Sequence, residues 1–404
     1  MYRSANVGHG MADNRQEAHR LHQEMVNTLR QNGAFNNTGV EAAFVAIPRH
    51  LFLPAMALED VYSDRAIGIK TDTSGLLTSS SSQPTMMAIM LEQLGIERGQ
   101  NVLEIGTATG YNAAIMQHIV GETGTITTLE IDKQLATNAQ EHLRRSGQSA
   151  VNVVNVDAAG GYAPRASYDR ILSTVGVWDV PSAWLSQLKP QGALVVPIVV
   201  DGIQISARFV SLSDGTFISK NNRPCAFVYM LGQNAGPAYR KQVGSSSLYI
   251  LANRVNTIDT AALHTLLSND HEINNLESRL EVTDYWYGFQ IYQMLNVPPK
   301  YEFFVYSVIQ GQKAYGLEGR GMALLTTSSA SFANYADKGV VHTFAGADAY
   351  LAMQDTLDKW EDEGRPSMSN LRLCLIPKSM PRPDIARGRL FERRDHYLHA
   401  WMEV

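Results

Sequence analysis

Apolar residues recur at helical spacing from about His19, where Leu21, Met25, Val26 and Leu29 fall on one face. Asn32-Gly33 ends that helix. Thr38-Gly39-Val40-Glu41 has the form of a capping box and predicts a short helix through Ile47, which Pro48 stops. From Asn101 the pattern changes to short apolar runs alternating with amphipathic stretches. It predicts strands at Asn101–Ile105, Thr125–Ile131, Val151–Val156, Tyr168–Thr174 and Gly192–Ile198, with helices at Tyr111–Val120, Lys133–Ser146 and Pro181–Leu188. Strands alternating with helices imply right-handed crossovers and a largely parallel sheet covered on both faces. The segment Ile203–Leu231 reads differently, as two strand-like runs about the hairpin signal Asp214-Gly215.

After Gly236-Pro237 the text becomes α+β in character, with strands predicted at Tyr301–Ile309, Met322–Thr327 and Leu371–Pro377 and a helix at Asp348–Glu363. The expected division is therefore 1–236 and 237–404, and 404 residues suit two domains. A net charge of -5 argues against a nucleic-acid partner, since a phosphate backbone demands a basic face. Cys225 and Cys374 lie far apart and outside any metal-ligand or disulfide pattern, which fits a reducing cytoplasm. The first residues lack the apolar core of a signal peptide, and the longest apolar run, Ala193–Val200, is too short to span a bilayer. The expectation is a cytoplasmic protein without a membrane partner. The histidines show no ligand spacing, so no metal is implied.

The strongest local signal is Val102-Leu103-Glu104-Ile105-Gly106-Thr107-Ala108-Thr109-Gly110-Tyr111: a buried strand, a glycine-bearing turn and the start of a helix. Glycines let a cofactor lie against bare backbone, and the helix N-terminus offers amides. The next strand ends in Leu129-Glu130-Ile131, where an acid is placed to hold ribose hydroxyls. A dinucleotide's pyrophosphate is usually met by G-x-G-x-x-G, whereas Ala108 holds the middle position here. The acid-flanked loop suits the cationic sulfonium and amino-acid tail of S-adenosylmethionine (SAM) better, and Asp157 would then meet the adenine amino group. The candidate cofactor residues are Glu104, Gly106, Thr107, Ala108, Gly110, Tyr111, Glu130, Ile131, Asp157 and Ala158. The plainer alternative is an ordinary strand-to-helix turn with exposed acids.

Upstream lie Pro48-Arg49-His50-Leu51-Phe52-Leu53-Pro54, Asp64-Arg65 and Ser79-Ser80-Ser81-Ser82-Gln83-Pro84. With the E-I-G-T-x-x-G-Y loop, these elements in this order resemble the protein-L-isoaspartate O-methyltransferase family, over roughly residues 15–235. The resemblance implies an α/β fold: a Rossmann-like SAM-dependent methyltransferase domain, here with an additional C-terminal α+β domain. It implies SAM as cofactor and S-adenosyl-L-homocysteine as product, and it places Gly106, Thr107, Gly110, Glu130 and Asp157 on SAM. It assigns Ser82 to the acceptor carboxylate as the candidate catalytic group, with Ser81 and Ser80 beside it. The family usually reads T-I-S-Q-P, so Ser80 and Ser81 are departures, as is Asp157-Ala158-Ala159-Gly160-Gly161 in place of G-D-G.

Arg49, His50 and Gln83 are the candidate substrate-binding residues. Arg49 either pairs with the acceptor or ties a loop, and His50 is read as structural. The serine run also reads as a helix start, with proline near the first turn. A carboxylate acceptor arrives ionised at neutral pH, so alignment rather than a general base would carry catalysis. In the resembled family the aspartyl methyl ester then loses methanol to a succinimide (aspartimide). The C-terminal extension, with Gly319-Arg320-Gly321, Thr343-Phe344-Ala345-Gly346 and Gly364-Arg365-Pro366, resembles that of methyltransferases acting on ribosomally made modified peptides. The expected partner is thus a peptide or protein bearing aspartate or isoaspartate, with a modified precursor peptide in first place and repair of isoaspartyl proteins as the alternative. A non-catalytic SAM- or peptide-binding scaffold is the third reading. Aromatics at Tyr285–Tyr287, Phe289, Tyr292, Phe303, Phe304 and Tyr306 would line a peptide surface or, for most of them, fill a core.

Overall fold

The computed structural model describes residues 6–73, 75–269 and 271–403. Helix α1 (Asn6–Gln31) buries Ala18, Met25, Val26 and Leu29. Helix α2 (Thr38–Ala46) begins one residue earlier than its capping-box form suggests: Asn37 is the cap, its side chain accepting from the Gly39 amide at 2.7 Å. The carboxamide oxygen reaches that amide, which frees Thr38 to be the first helical residue. After the short helix α3 (Leu58–Val61), strands β1 (Ile67–Thr71) and β2 (Leu77–Ser81) form a separate antiparallel hairpin leading into α4 (Pro84–Leu94).

The predicted α/β unit follows. Strands β3 (Asn101–Ile105), β4 (Thr125–Glu130), β5 (Asn152–Asn155), β6 (Tyr168–Ser173) and β7 (Leu188–Val200) lie in the order β5-β4-β3-β6-β7, all parallel. Helices α5 (Tyr111–Val120) and α6 (Lys133–Arg145) make the crossovers. The direction in which successive strands are added reverses between β3 and β6, and the crevice beyond the C-terminal ends of those strands is where such sheets bind ligands. The expected helix over Pro181–Leu188 shrinks to α7 (Ser182–Ser186), because β7 begins at Leu188 and claims its last turn. Strands β8 (Ile203–Ser211) and β9 (Phe217–Cys225) continue the sheet antiparallel around the Asp214-Gly215 turn, where Asp214 Oδ1 accepts from the Thr216 amide.

The second lobe is an antiparallel sheet in the order β10-β11-β13-β14-β15-β16-β12. Its strands are β10 (Arg240–Gln242), β11 (Leu248–Leu251), β12 (His271–Asn275), β13 (Glu302–Val308), β14 (Arg320–Leu325), β15 (Ser329–Asn334) and β16 (Val340–Ala345). Helix α8 (Thr260–Leu267) covers one face. The other is covered by α9 (Val282–Asp284), which runs through a π turn into α10 (Gln290–Leu295), and by α11 (Asp348–Asp362). Tyr285, Phe289, Tyr292, Phe303, Phe304 and Tyr306 are all buried, so these aromatics are core, while Tyr287 is exposed.

The chain then returns. Strands β17 (Leu371–Pro377), β18 (Arg389–Glu392) and β19 (His396–Met402) join the catalytic sheet through β9, making ten strands in all. This corrects the expected division at one end: residues 371–402 belong to the first sheet, so 237–404 is not one contiguous domain. One apolar core runs through both lobes for the same reason. Alternate residues of β8, namely Ile203, Ile205, Ala207 and Phe209, are buried in the same core as Leu371, Leu373 and Leu398. The opposite face of β8 meets α4, where Ser206 and Gln93 exchange hydrogen bonds.

Candidate active site

A cavity of about 400 Å³ opens at the switch point. Its floor is Ile105, Gly106, Ala108 and the β4 end, Leu129–Asp132. The hairpin (Lys70–Asp72, Thr78–Ser80) forms one wall, and the segment after β9, Val228–Leu231, forms a strap across the other. That strap is fixed through Gly176, whose amide donates to Val228 O and whose carbonyl accepts from Met230 N. Gly106 has φ +95°, and a Cβ there would stand 2.7 Å from Thr174 Oγ1, so only glycine lets the two strand ends close.

Glu130 projects into this space and is 8% exposed. Its Oε2 accepts from the Ala108 amide at 2.9 Å and its Oε1 from the Asp132 amide at 3.0 Å. Burial raises its pKa, and those amides oppose the rise. A carboxylate has about four acceptor positions, so roughly two remain, the number that a vicinal diol donates to. Asp132 is ion-paired with Lys70, which ties the hairpin to the start of α6 and lowers the Asp132 pKa. Ile131, Leu135, Ala158 and Val175 supply apolar wall. The volume lies within the usual range for a cofactor-sized ligand, roughly 300–1,000 Å³. Bare glycine backbone, a diol-ready carboxylate and apolar flanks together fit an adenosyl group.

Among the predicted cofactor residues, Gly106, Ala108, Glu130, Ile131 and Ala158 line the cavity. Glu104, Thr107, Gly110, Tyr111 and Asp157 do not, and each is held elsewhere. Glu104 is fully buried, accepting from Asn112 Nδ2 at 2.7 Å and Thr128 Oγ1 at 2.6 Å, and burial pushes its pKa up to about 7. Thr107 shares a hydrogen bond with Thr128. Gly110 packs against α6 at Ala139 and Leu143, and Tyr111 is buried with its ring 5.9 Å from the Arg49 guanidinium carbon. Asp157 accepts from the Ala159 amide and, across the crevice, from the Gln233 amide at 2.7 Å, so it anchors the strap.

The serines divide. Ser80 lines the cavity with Ser79. Ser81 is buried beneath Arg49, 3.3 Å from Nη2. Ser82 lies just past the hairpin, half-buried, with its hydroxyl free of any protein partner. Arg49 is entirely buried and donates to the carbonyls of Val61, Ser63, Arg65, Ser81 and Ser82. With both Nη atoms engaged, it ties the 61–65 segment to the end of β2. His50 shares a 2.6 Å hydrogen bond with Tyr62 and does not line the cavity. Gln83 donates to Asp64, whose carboxylate also takes the amide and hydroxyl of Thr85. Arg49, His50 and Gln83, expected to bind substrate, are here bonded to neighbouring protein groups and do not line the cavity. Asp64 thus accepts an amide from the first turn of α4, a contact its place in Asp64-Arg65 did not disclose.

The hairpin residues Lys70 and Thr78 and the strap residues Val228, Tyr229 and Met230 were missed. They converge from distant segments and carry no motif. A second cavity of about 200 Å³ adjoins the first, sharing Asp72, Thr78 and Tyr229–Leu231 and completed by residues 235–239, Trp178 and Asn253. Among the described residues no group of three metal-ligating side chains is found, and no helix is long and apolar enough to cross a membrane.

A parallel sheet with a glycine loop after its first strand, a ribose-ready acid after its second and an adenosyl-sized crevice define a SAM-dependent methyltransferase. The chain belongs to the protein-L-isoaspartate(D-aspartate) O-methyltransferase family, which it matches over residues 19–235. Its enzyme class is therefore SAM-dependent carboxyl O-methyltransferase. The protein-L-isoaspartate O-methyltransferase of Ignicoccus hospitalis is 34% identical over 209 residues, 52% of this chain and 96% of that protein. That of Methanopyrus kandleri is 34% identical over 224 residues, 55% and 96% respectively. A solved protein-L-isoaspartate O-methyltransferase aligns over 95% of this chain and 100% of its own, with a TM-score of 0.52 and 23% identity, a likeness of fold.

Proposed function

We propose that the chain methylates an aspartyl or isoaspartyl side-chain carboxylate in a peptide, and that its dedicated substrate is a ribosomally made, modified peptide. The observation that carries the peptide assignment is the second cavity, which continues the cofactor crevice and takes its far wall from the second lobe. A substrate reaching the reacting centre thus has a place for its neighbouring residues. The serine run, which departs from the family's T-I-S-Q-P, supports a specialised acceptor.

SAM supplies an electrophilic methyl group on a sulfonium. The chain's part is to bind, align and dry. Glu130 would receive the ribose diol, and the backbone of Gly106 and Ala108 would let the cofactor lie close. The acceptor carboxylate is ionised at neutral pH and needs no base; among the described residues of the cavity wall none is a histidine. Ser82 and Ser80 orient it, since hydroxyls hold a carboxylate without the charge of a close lysine. Val228, Met230 and Leu231 exclude water, which strengthens the attraction between the two charges. Well-aligned encounters are worth roughly 7–11 kcal/mol. Ser82→Ala should lower kcat roughly 10–100-fold, the worth of a hydrogen bond to a charged group, with cofactor affinity retained; normal turnover removes Ser82 from this role.

A second reading, general repair of isoaspartyl proteins, is favoured by the relatives' names and by the solved structure whose fold spans both lobes. The separating experiment offers purified enzyme and SAM a set of unrelated isoaspartyl peptides, their aspartyl twins, and a co-encoded precursor peptide in linear and modified forms. Selective methylation of the modified precursor supports tailoring. Comparable rates on unrelated isoaspartyl peptides establish repair and overturn it.

A further inference from the structure

Asn253 follows β11, and its placement is fixed by the neighbouring Ala252 amide, which donates to Tyr239 O at 3.1 Å. Both polar atoms of its side chain, Nδ2 and Oδ1, are shut away from solvent and have no hydrogen-bond partner; no other described residue leaves both ends of a carboxamide so. Buried polar groups are nearly always paired, and one that is not calls for a ligand or another explanation. Asn253 lines the second cavity.

Beyond the Asp72 and Thr78 rim, the rest of that cavity is mostly apolar and firm. Leu77, Trp178, Met230, Leu231 and Tyr239 bound it. Tyr239 stacks on Tyr229 with centroids 3.4 Å apart and planes at 15°. Trp178 is backed by the Arg393 guanidinium, 5.0 Å from its ring. Asp72, on the rim shared with the cofactor cavity, has Oδ1 engaged by the Leu76 amide. Away from the rim carboxylate of Asp72, a charged side chain would lose its hydration among apolar groups, whereas an apolar one fills the space at no such cost. The carboxamide offers one acceptor and one donor group side by side, the complement of a peptide unit's N–H and C=O.

We infer that the cavity around Asn253 is a subsite for the residue flanking the methylated aspartyl: a bulky apolar side chain enters the cavity while its peptide unit pairs with the Asn253 carboxamide. This rests on the peptide-carboxylate reading above and gives the second lobe a direct part in substrate choice.

The test starts from the peptide on which methyl transfer is found, whether an isoaspartyl hexapeptide or the modified precursor, resynthesised with Phe, Gly or Lys at each position next to the methylated residue. It is assayed with the wild type, Asn253→Leu and Asn253→Ala, alongside S-adenosylhomocysteine binding and thermal melts. At one flanking position Phe should exceed Gly and Lys in kcat/KM by about tenfold or more, the order expected for filling an apolar pocket. Asn253→Leu should raise the peptide KM about tenfold, with kcat and S-adenosylhomocysteine affinity unchanged. Its Tm should be no lower than wild type, because an unpaired buried amide has been removed. A purely structural Asn253 would instead show a lowered Tm with the peptide KM unmoved, and that result overturns the inference. Equal rates for Phe, Gly and Lys at both positions overturn it as well. Absence of transfer to every peptide, with S-adenosylhomocysteine still bound, is instead the failure of the peptide-carboxylate reading, and this inference falls with it.

Discussion

Glu104 and Glu130 stand near the ends of neighbouring strands and look alike in the sequence, yet their surroundings give them different work. Glu130 has two acceptor positions to spare at the cavity, whereas Glu104 is consumed by Asn112 and Thr128 beneath the loop. Burial holds the Glu104 carboxyl at about 7, against 4.5 for the free group. The folded state therefore binds a proton that the unfolded state releases between those values, and stability falls as pH rises through that window. At ~1.4 kcal/mol per pH unit the contribution is on the order of 3 kcal/mol. Glu104→Gln should flatten the decline of Tm between pH 4.5 and 7, measured by calorimetry; a variant declining as steeply as wild type would place the titration elsewhere. Arg49 gives a second prediction. Because its two Nη atoms join the carbonyls of two segments, 61–65 and 81–82, Arg49→Ala should cost about 3 kcal/mol or more of stability. A loss confined to the KM for the peptide, with unaltered melting, would return it to the acceptor.

At the scale of elements, the site is four segments meeting over one strand end: the glycine loop, the β4 end, the hairpin and the strap. The first two were legible because a buried parallel strand reads as a short continuous apolar run and its loop needs glycine. The last two were not, because a hairpin of Leu77-Thr78-Ser79-Ser80-Ser81 and a strap without periodicity acquire their meaning only by position. Of the P-R-H and S-Q-P elements, Ser79 and Ser80 line the cavity, while neighbours such as Asp64 and Tyr62 take up Gln83 and His50. In the second lobe, β13 and β14 could be read from apolar text. Strands such as β12 (His-Glu-Ile-Asn-Asn) and β15 (Ser-Ala-Ser-Phe-Ala-Asn) could not, since polar and small residues become strand only through their partners. Gly106→Ala should cost both halves of the crevice: with φ +95° and Thr174 Oγ1 2.7 Å from the new methyl, the loop must shift. We expect S-adenosylhomocysteine affinity to fall by about tenfold or more, an energy on the order of 1–2 kcal/mol. Unchanged affinity by titration calorimetry would mean that the loop is not the cofactor's seat.

The whole molecule departs from the simple chain of two domains that its sequence suggests. The Ignicoccus and Methanopyrus relatives are each covered to 96% by little more than half of this chain. In this chain β17 to β19 return to the same sheet, and Ile203, Ile205 and Phe209 are buried in a core that crosses the lobes. Re-exposing them would cost roughly 1.5–3 kcal/mol for each large side chain. A protein ending at Gly236 should therefore aggregate or lose its cooperative melt on gel filtration and calorimetry; a monomeric, cooperatively folding fragment that binds S-adenosylhomocysteine would contradict the shared core. The same joining lets the second lobe border the second cavity. The most direct test of the central claim is to locate the transferred methyl group by fragmentation mass spectrometry of a peptide treated with enzyme and SAM. A methyl ester on an aspartyl or isoaspartyl side chain, giving way to loss of methanol with time, is the predicted result. Methylation on nitrogen or on a hydroxyl, or none on any carboxylate while cofactor still binds, would contradict it.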